Sequence, residues 1–219
     1  MRSFLGRRGR YSLTDDLILP KTAGKGVRVD NLAPSFGWRD LEGPIDPKET
    51  GAGKPTYAVF RGNIKAYWFA ANDVNDLRFH WPHDWLPESD AHIHLHWAHN
   101  GTTISGSIVM DYRWSYAKGH NQGAFPAEST LTQTVSTPDV ATYPQYQHVI
   151  SEVQLSAASP AAGQVDTDDL EPDGLLMISM TPTTIPTIGG GGNFFIHYVD
   201  IHYQSTNIGT KAKAPDFYT

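Results

Sequence analysis

The stretch DAHIHLHWAHN, residues 90 to 100, sets His92, His94 and His96 at alternate positions and adds His99. Imidazole can ligate a metal, carry a proton near neutral pH or simply hydrogen-bond, so the spacing decides which chemistry is open. On a β-strand, alternate side chains share one face roughly 7 Å apart, which lets two imidazoles reach one ion as in cupin-type barrels. Ile93, Leu95 and Trp97 then take the opposite face, which must be the buried one. A cupin-like site also wants an acid a few residues after the histidine pair and a histidine on a distant strand. Here WAHNGTTISGS follows, and the next acid is Asp111. Distant ligands would have to come from His80, His83, Glu128, His197, Asp200 or His202, and no spacing says that these converge.

The competing reading is a polar face of imidazoles, solvated or set against a neighbouring subunit, held by cross-strand hydrogen bonds and ring stacking. On that reading the chain holds no metal and no cofactor. His92, His94 and His96, with Trp85, are then subunit-interface candidates; the same three histidines are the metal candidates should the reading fail. An interface built on imidazoles would loosen in acid.

Other chemistry has weaker signals. The chain has no GxSxG, P-loop or HExxH motif. GGGG at 189 to 192 is followed by neither a lysine nor a helix pattern, so it reads as a connection before the last strand rather than a phosphate loop. DTDDLEPD, 166 to 173, is oxygen-rich enough for calcium but lacks EF-hand spacing and reads as a solvated loop. Zero cysteines remove disulfides, thiolate zinc sites and cysteine nucleophiles together.

Strand-like runs must position these residues. They are TYAVF (56 to 60), NIKAYWFA (63 to 70), LRFHW (77 to 81), AHIHLHWA (91 to 98), SGSIVMDYRWSY (105 to 116), TLTQTVST (130 to 137), QHVISEVQL (147 to 155), GLLMISMT (174 to 181) and NFFIHYVDIHYQ (193 to 204). Gly, Pro, Asp or Asn bounds each of them. The proline-broken connections 137 to 147 and 156 to 172 leave room only for a short helical turn. Strands without βαβ alternation predict an all-β, antiparallel β-sandwich, and the jelly roll is the common closure of eight strands. The organisation expected is an extended N-terminal arm over 1–55, a sandwich over 56–204 and a C-terminal tail over 205–219.

With 219 residues, 39% of them hydrophobic, one core is the expectation. The net charge of -6 excludes a general electrostatic attraction to nucleic acid. The first 28 residues run against that balance, because Arg2, Arg7, Arg8 and Arg10 make the arm basic, which fits either a grip on an acidic partner surface or a solvated, flexible terminus. No secretory signal and no bilayer-spanning segment is legible.

The strings LRFHWPHDWLPESDAHIHLHW, MDYRWSYAKG, AFPAEST and YVDIHYQSTNIGTKAKAPDFYT resemble a group of tailed-bacteriophage virion structural proteins, over about residues 57 to 219. The resemblance implies a non-enzymatic part of the phage particle: a jelly-roll protein that decorates or cements the head shell. It further implies a homotrimer on the capsid surface, made in the host cytoplasm, whose arm contacts the major capsid protein. Arg2, Arg7, Arg8 and Arg10 would be the capsid-binding residues, with neither nucleic acid nor membrane as partner. The alternative is a tail- or fibre-associated module that binds host glycan through exposed Trp and Tyr. A cupin-like metalloenzyme using His92, His94 and His96 is the third reading.

Overall fold

The computed structural model describes residues 37–136, 141–158, 160–206, 209–210 and 212–217. Arg2, Arg7, Arg8 and Arg10 lie outside the described residues. In chain order the strands are β1 (Gly37–Gly43), β2 (Asp46–Pro47), β3 (Thr56–Arg61), β4 (Ile64–Trp68), β5 (Asn75–His80), β6 (Ala91–His99) and β7 (Ile104–Ser105). They continue with β8 (Ile108–Ala117), β9 (Ser129–Val135), β10 (Val149–Leu155), β11 (Leu175–Thr184), β12 (Thr187–Ile188) and β13 (Phe194–Ser205). Every strand-like run of the sequence is a strand here. Among the described residues the only helical turn is a 3-10 turn at Thr167–Asp169, inside one of the proline-broken connections. No helix of the described residues is long and apolar enough to cross a membrane.

Two antiparallel sheets pack face to face. One has the order β10-β6-β13-β4-β3, with β1 also paired to β13; the other runs β2-β5-β11-β8-β9. If β4, β5, β6, β8, β9, β10, β11 and β13 are taken as strands one to eight, the sheets read six-three-eight-one and two-seven-four-five. That is the strand order of a jelly roll, the closure expected from the sequence.

Period-two alternation builds the core from both sheets. Leu77 and Phe79 of β5, Ile93, Leu95 and Trp97 of β6, and Ile108, Met110 and Tyr112 of β8 all point inward. Leu176, Ile178 and Met180 of β11 and Val199, Ile201 and Tyr203 of β13 complete the same cluster. Each fully buried large side chain contributes about 1.5–3 kcal/mol from apolar area alone. Two polar tips inside it are matched, since Trp97 Nε1–H donates to Ser151 Oγ at 2.9 Å and Tyr112 O–H donates to Gln133 Oε1 at 2.9 Å, whereas the indole N–H groups of Trp81 and Trp85 are buried without a partner among the described residues.

The structure revises three expectations. Within the segment read as an arm, β1 and β2 are strands of the two sheets, paired to β13 and β5. Their periodicity was hidden because β1 sends Trp38, Asp40 and Glu42 outward and only Leu41 toward the core. Trp85, expected at a subunit interface, is fully buried, edge-on to Trp81 at 5.1 Å and bridged to Ser205. It fills the end of the sandwich within one chain and has no surface to offer. The segment beyond 205 packs back too: Thr206 N–H donates to Asp84 O, and Phe217 is buried.

The GGGG segment is a turn between β12 and β13. Gly190 and Gly191 adopt φ of 71° and 70°, the left-handed region that favours glycine. The chain approaches itself so closely here that a Cβ on Gly192 would collide with the backbone of Gly101, and a Cβ on Gly101 with the carbonyl oxygen of Gly189.

Because Trp97 lies at the centre of the core, Trp97→Ala is expected to cost about 3–5 kcal/mol in urea unfolding. The outward neighbour His92→Ala should cost less than about 1 kcal/mol. Equal losses would place the core on the wrong face of β6.

Candidate functional site

The outer face of the six-stranded sheet collects the imidazoles. Alternation sends His92, His94 and His96 of β6 outward, and the same rule sends Tyr198, Asp200 and His202 of β13 to that face. The register then writes rows across the strands. Gln154, His92, His202 and Asp40 form one row, and Glu152, His94, Asp200 and Glu42 form the next. Ile150, His96 and Tyr198 form the third. A register shift between Ile196 and Tyr198 makes these rows possible.

Contacts run along and between the rows. His94 Nε2–H donates to Glu152 Oε2 at 2.9 Å, while His94 Nδ1 faces Asp200 Oδ1 at 3.3 Å. His96 Nε2 lies 3.1 Å from Asp200 Oδ2, and its Nδ1 lies 2.9 Å from His148 Nε2. His202 Nδ1–H donates to Asp40 Oδ1 at 2.6 Å. Three rings stack in sequence: Trp38 on His202 at 4.8 Å, and His202 on His94 at 4.8 Å. Trp38 remains 45% exposed, whereas Asp200 is only 3% exposed.

Burial governs the electrostatics here. It pushes the Asp200 carboxyl above the ordinary carboxylate range, against the opposing pull of the His96 and His94 imidazoles. It lowers the His96 imidazole despite Asp200, with His148 adding to the effect. His197 is lowered for the same first reason, packed between Phe60 and Phe195. The Tyr198 hydroxyl is pushed up to about 12, by desolvation and then by Glu42. Burial therefore favours the neutral form of the His96 imidazole beside one buried carboxyl.

The placement of the residues singled out from sequence is uneven. His94 and His96 converge, but their third partner is Asp200 rather than His92; His92 instead packs near Trp38, with ring centres 5.5 Å apart. His202 joins through Asp40. Glu128 lines a shallow pocket of about 210 Å³ with Arg78, Arg113, Trp114 and Met177 on the outer face of the other sheet, away from the histidines. Trp38, Asp40, His148 and Glu152 belong to the site and were not singled out. Reading Glu152 as alternate with the inward Val149, Ser151 and Val153 would have found it; Trp38 and Asp40 needed the β1 pairing.

His80 and His83 form a second cluster with His120 around Asp173. His120 Nε2–H donates to Asp173 Oδ2 at 2.7 Å, His83 Nε2–H donates to Oδ1 at 3.1 Å, and His80 lies 3.4 Å away. Phe217 sits against His83 and His120, and His83 Nδ1 reaches Thr210 Oγ1, so the cluster clamps the C-terminal segment. The residues of DTDDLEPD therefore do not stand as a set of free oxygens. Asp166 caps the 3-10 turn and Asp173 takes the imidazoles.

No family model and no curated protein matches the chain. Among solved structures it is similar to a carbohydrate-binding module specific for non-crystalline cellulose, at 12% identity over 69% of this chain and 78% of that one, with a TM-score of 0.33. It is also similar to a family 11 carbohydrate-binding module from Clostridium thermocellum in complex with a β-1,3-1,4-mixed-linked tetrasaccharide. That match has 10% identity over 81% and 94% of the two chains and a TM-score of 0.29. A third is a carbohydrate esterase from the Shiga toxin-encoding bacteriophage phi24B, at 12% identity over 77% and 91% and a TM-score of 0.27. Likenesses of this size carry no argument about activity.

Asp173 supplies the pH test of this region. The His120 hydrogen bond, followed by the charges of His83 and His80, holds its carboxyl below the ordinary range. A carboxyl depressed in the folded state stabilises the fold above its unfolded value near 3.9, and that contribution is lost as pH falls through the lower folded value. Asp173→Asn should therefore melt below the native protein at pH 7, with the gap closing as pH drops below about 4. A gap that stays constant from pH 7 to pH 3 would show that the carboxylate is not its source.

Proposed function

We propose that the protein is a non-enzymatic β-sandwich that binds an oligosaccharide on the outer face of its six-stranded sheet. The observation carrying this reading is Trp38, half-exposed and stacked on His202 beside Asp40, with His92 and Gln154 continuing the row. A sugar ring offers an apolar C–H face to an aromatic side chain, and its hydroxyls both donate to carboxylates and accept from N–H groups. A tryptophan beside a carboxylate, imidazoles and an amide supplies both kinds of contact. His92 and His202 stand on β6 and β13, which are paired on both sides, and Trp38 and Asp40 stand on β1, which is paired along its length to β13, so the row is built on regular sheet rather than on loops.

A second reading follows the resemblance to virion structural proteins: a decoration protein that trimerises on the head shell and meets the major capsid protein through Arg2, Arg7, Arg8 and Arg10. It is supported by the β3–β4 hairpin at the sheet edge, where Tyr57, Val59 and Ile64 are 58%, 50% and 66% exposed. Apolar residues on an edge strand are the kind of surface that another chain covers.

Screening the full chain against a glycan array tests the first reading. Retention of at least one polysaccharide is expected, weakened at least about tenfold by Trp38→Ala, the equivalent of about 1.4 kcal/mol. Absence of any retained glycan, or retention indifferent to Trp38→Ala, would remove it. For the second reading, Ile64→Glu is expected to convert a native trimer to monomer in light scattering. A monomeric native protein would count against that assembly.

A further inference from the structure

We infer that His94, His96 and Asp200 form a site for one divalent transition-metal ion, which ties β6 to β13 on the outer face of the sheet. The donor set is two imidazoles and a carboxylate, the mixture that suits zinc and its neighbours. One ligand atom from each of the three residues can be chosen so that all lie within 4.8 Å of one another. His96 Nε2 lies 3.1 Å from Asp200 Oδ2 and His94 Nδ1 lies 3.3 Å from Oδ1, so each imidazole faces its own oxygen of one carboxylate, at a separation close to that of neighbouring ligand atoms about an ion. With metal–ligand bonds of about 2.0–2.1 Å in a tetrahedron, neighbouring ligand atoms are about 3.4 Å apart.

The hydrogen bonds around the trio point the same way. His94 Nε2 faces the Glu152 carboxylate at 2.9 Å, and a carboxylate only accepts, so that nitrogen carries the proton. In the neutral ring, His94 Nδ1 then presents a lone pair to Asp200 Oδ1. Oδ1 is buried and makes no hydrogen bond of its own. Two acceptors thus face each other in a place shielded from water, an arrangement that costs free energy unless a cation lies between them. The rings are also held from behind in the way metal-bound imidazoles are: His94 by Glu152, and His96 Nδ1 by His148 at 2.9 Å.

Surrounding charge favours a cation as well. Glu152 and Glu42 stand at the two ends of the row that holds His94 and Asp200, and Asp40 stands in the adjoining row. Three protein ligands leave a fourth position for water or another donor. Asp40 and His202 form an alternative trio with His94, but Asp40 is exposed and already bound to His202, so it is the weaker site. None of this depends on the glycan reading, and the two are tested by different measurements.

The test uses the full chain prepared without a polyhistidine tag, stripped with chelator and titrated with zinc in a calorimeter at neutral pH. One ion per chain is expected. Asp200→Asn and His96→Gln should each weaken binding at least tenfold, and Glu152→Gln, acting only through His94, by about 10–100-fold. Asp173→Asn, in the other histidine cluster, should leave the titration unchanged. X-ray absorption of the zinc-loaded native protein should report two imidazoles and carboxylate oxygen in the first shell, a readout that does not depend on any variant folding. The absence of saturable one-to-one binding would mean that a proton, not a metal, sits between His94 and Asp200. That outcome, a first shell without the imidazole pair, or loss of binding in Asp173→Asn alone would each overturn the inference.

Discussion

The antiparallel pairing of β6 with β13 is the constraint on which the rest of the molecule depends. On its inner side it brings Ile93, Leu95 and Trp97 against Val199 and Ile201, the middle of the hydrophobic core. On its outer side the same register sets His94 opposite Asp200 and His92 opposite His202. A slip of one residue would exchange the two faces, placing imidazoles in the core and tryptophan in water. Core and polar face therefore enforce one another: the register that buries the most apolar area is also the one that gathers the titratable groups.

The polar face is more than a solvated surface. Asp200 is buried by the imidazoles that flank it, and stacking of Trp38, His202 and His94 closes the face from the β1 side. Such a network is costly if half satisfied and rigid if complete. Its exposed margin, Trp38 with Asp40 and His92, is suited to a polyol; its buried centre, His94 with His96 and Asp200, is suited to a cation. The two chemistries occupy adjacent but separate positions on one sheet, which is why a ligand at the margin and an ion at the centre are compatible.

The second histidine cluster has a different task. Asp173, with φ of 62°, turns the chain tightly just before β11 and collects His80, His83 and His120 from two other segments. Through Phe217 and Thr210 this cluster holds the C-terminal segment against the sandwich. The segment after β13 has few apolar residues of its own, so a carboxylate-centred clamp does work that packing alone would not.

Period-two patterning was enough to determine the all-β class, the long strands from Thr56 onward though not the two-residue β7 and β12, and the inward face of β6. Side chains alternate across a pleated strand whatever lies beside it, so the division into a greasy face and an imidazole face of residues 91 to 99 is a local property. The partners of those imidazoles were a different matter. Asp200 is 104 residues from His96, and their meeting depends on strand order and on the bulge between Ile196 and Tyr198. β1 was illegible because only Leu41 marks its inner face, and Trp85 was misread because a tryptophan suits an interface and a core equally well. Strand pairing across long separations is chosen by total burial of the folded chain, and no short stretch of residues carries that information.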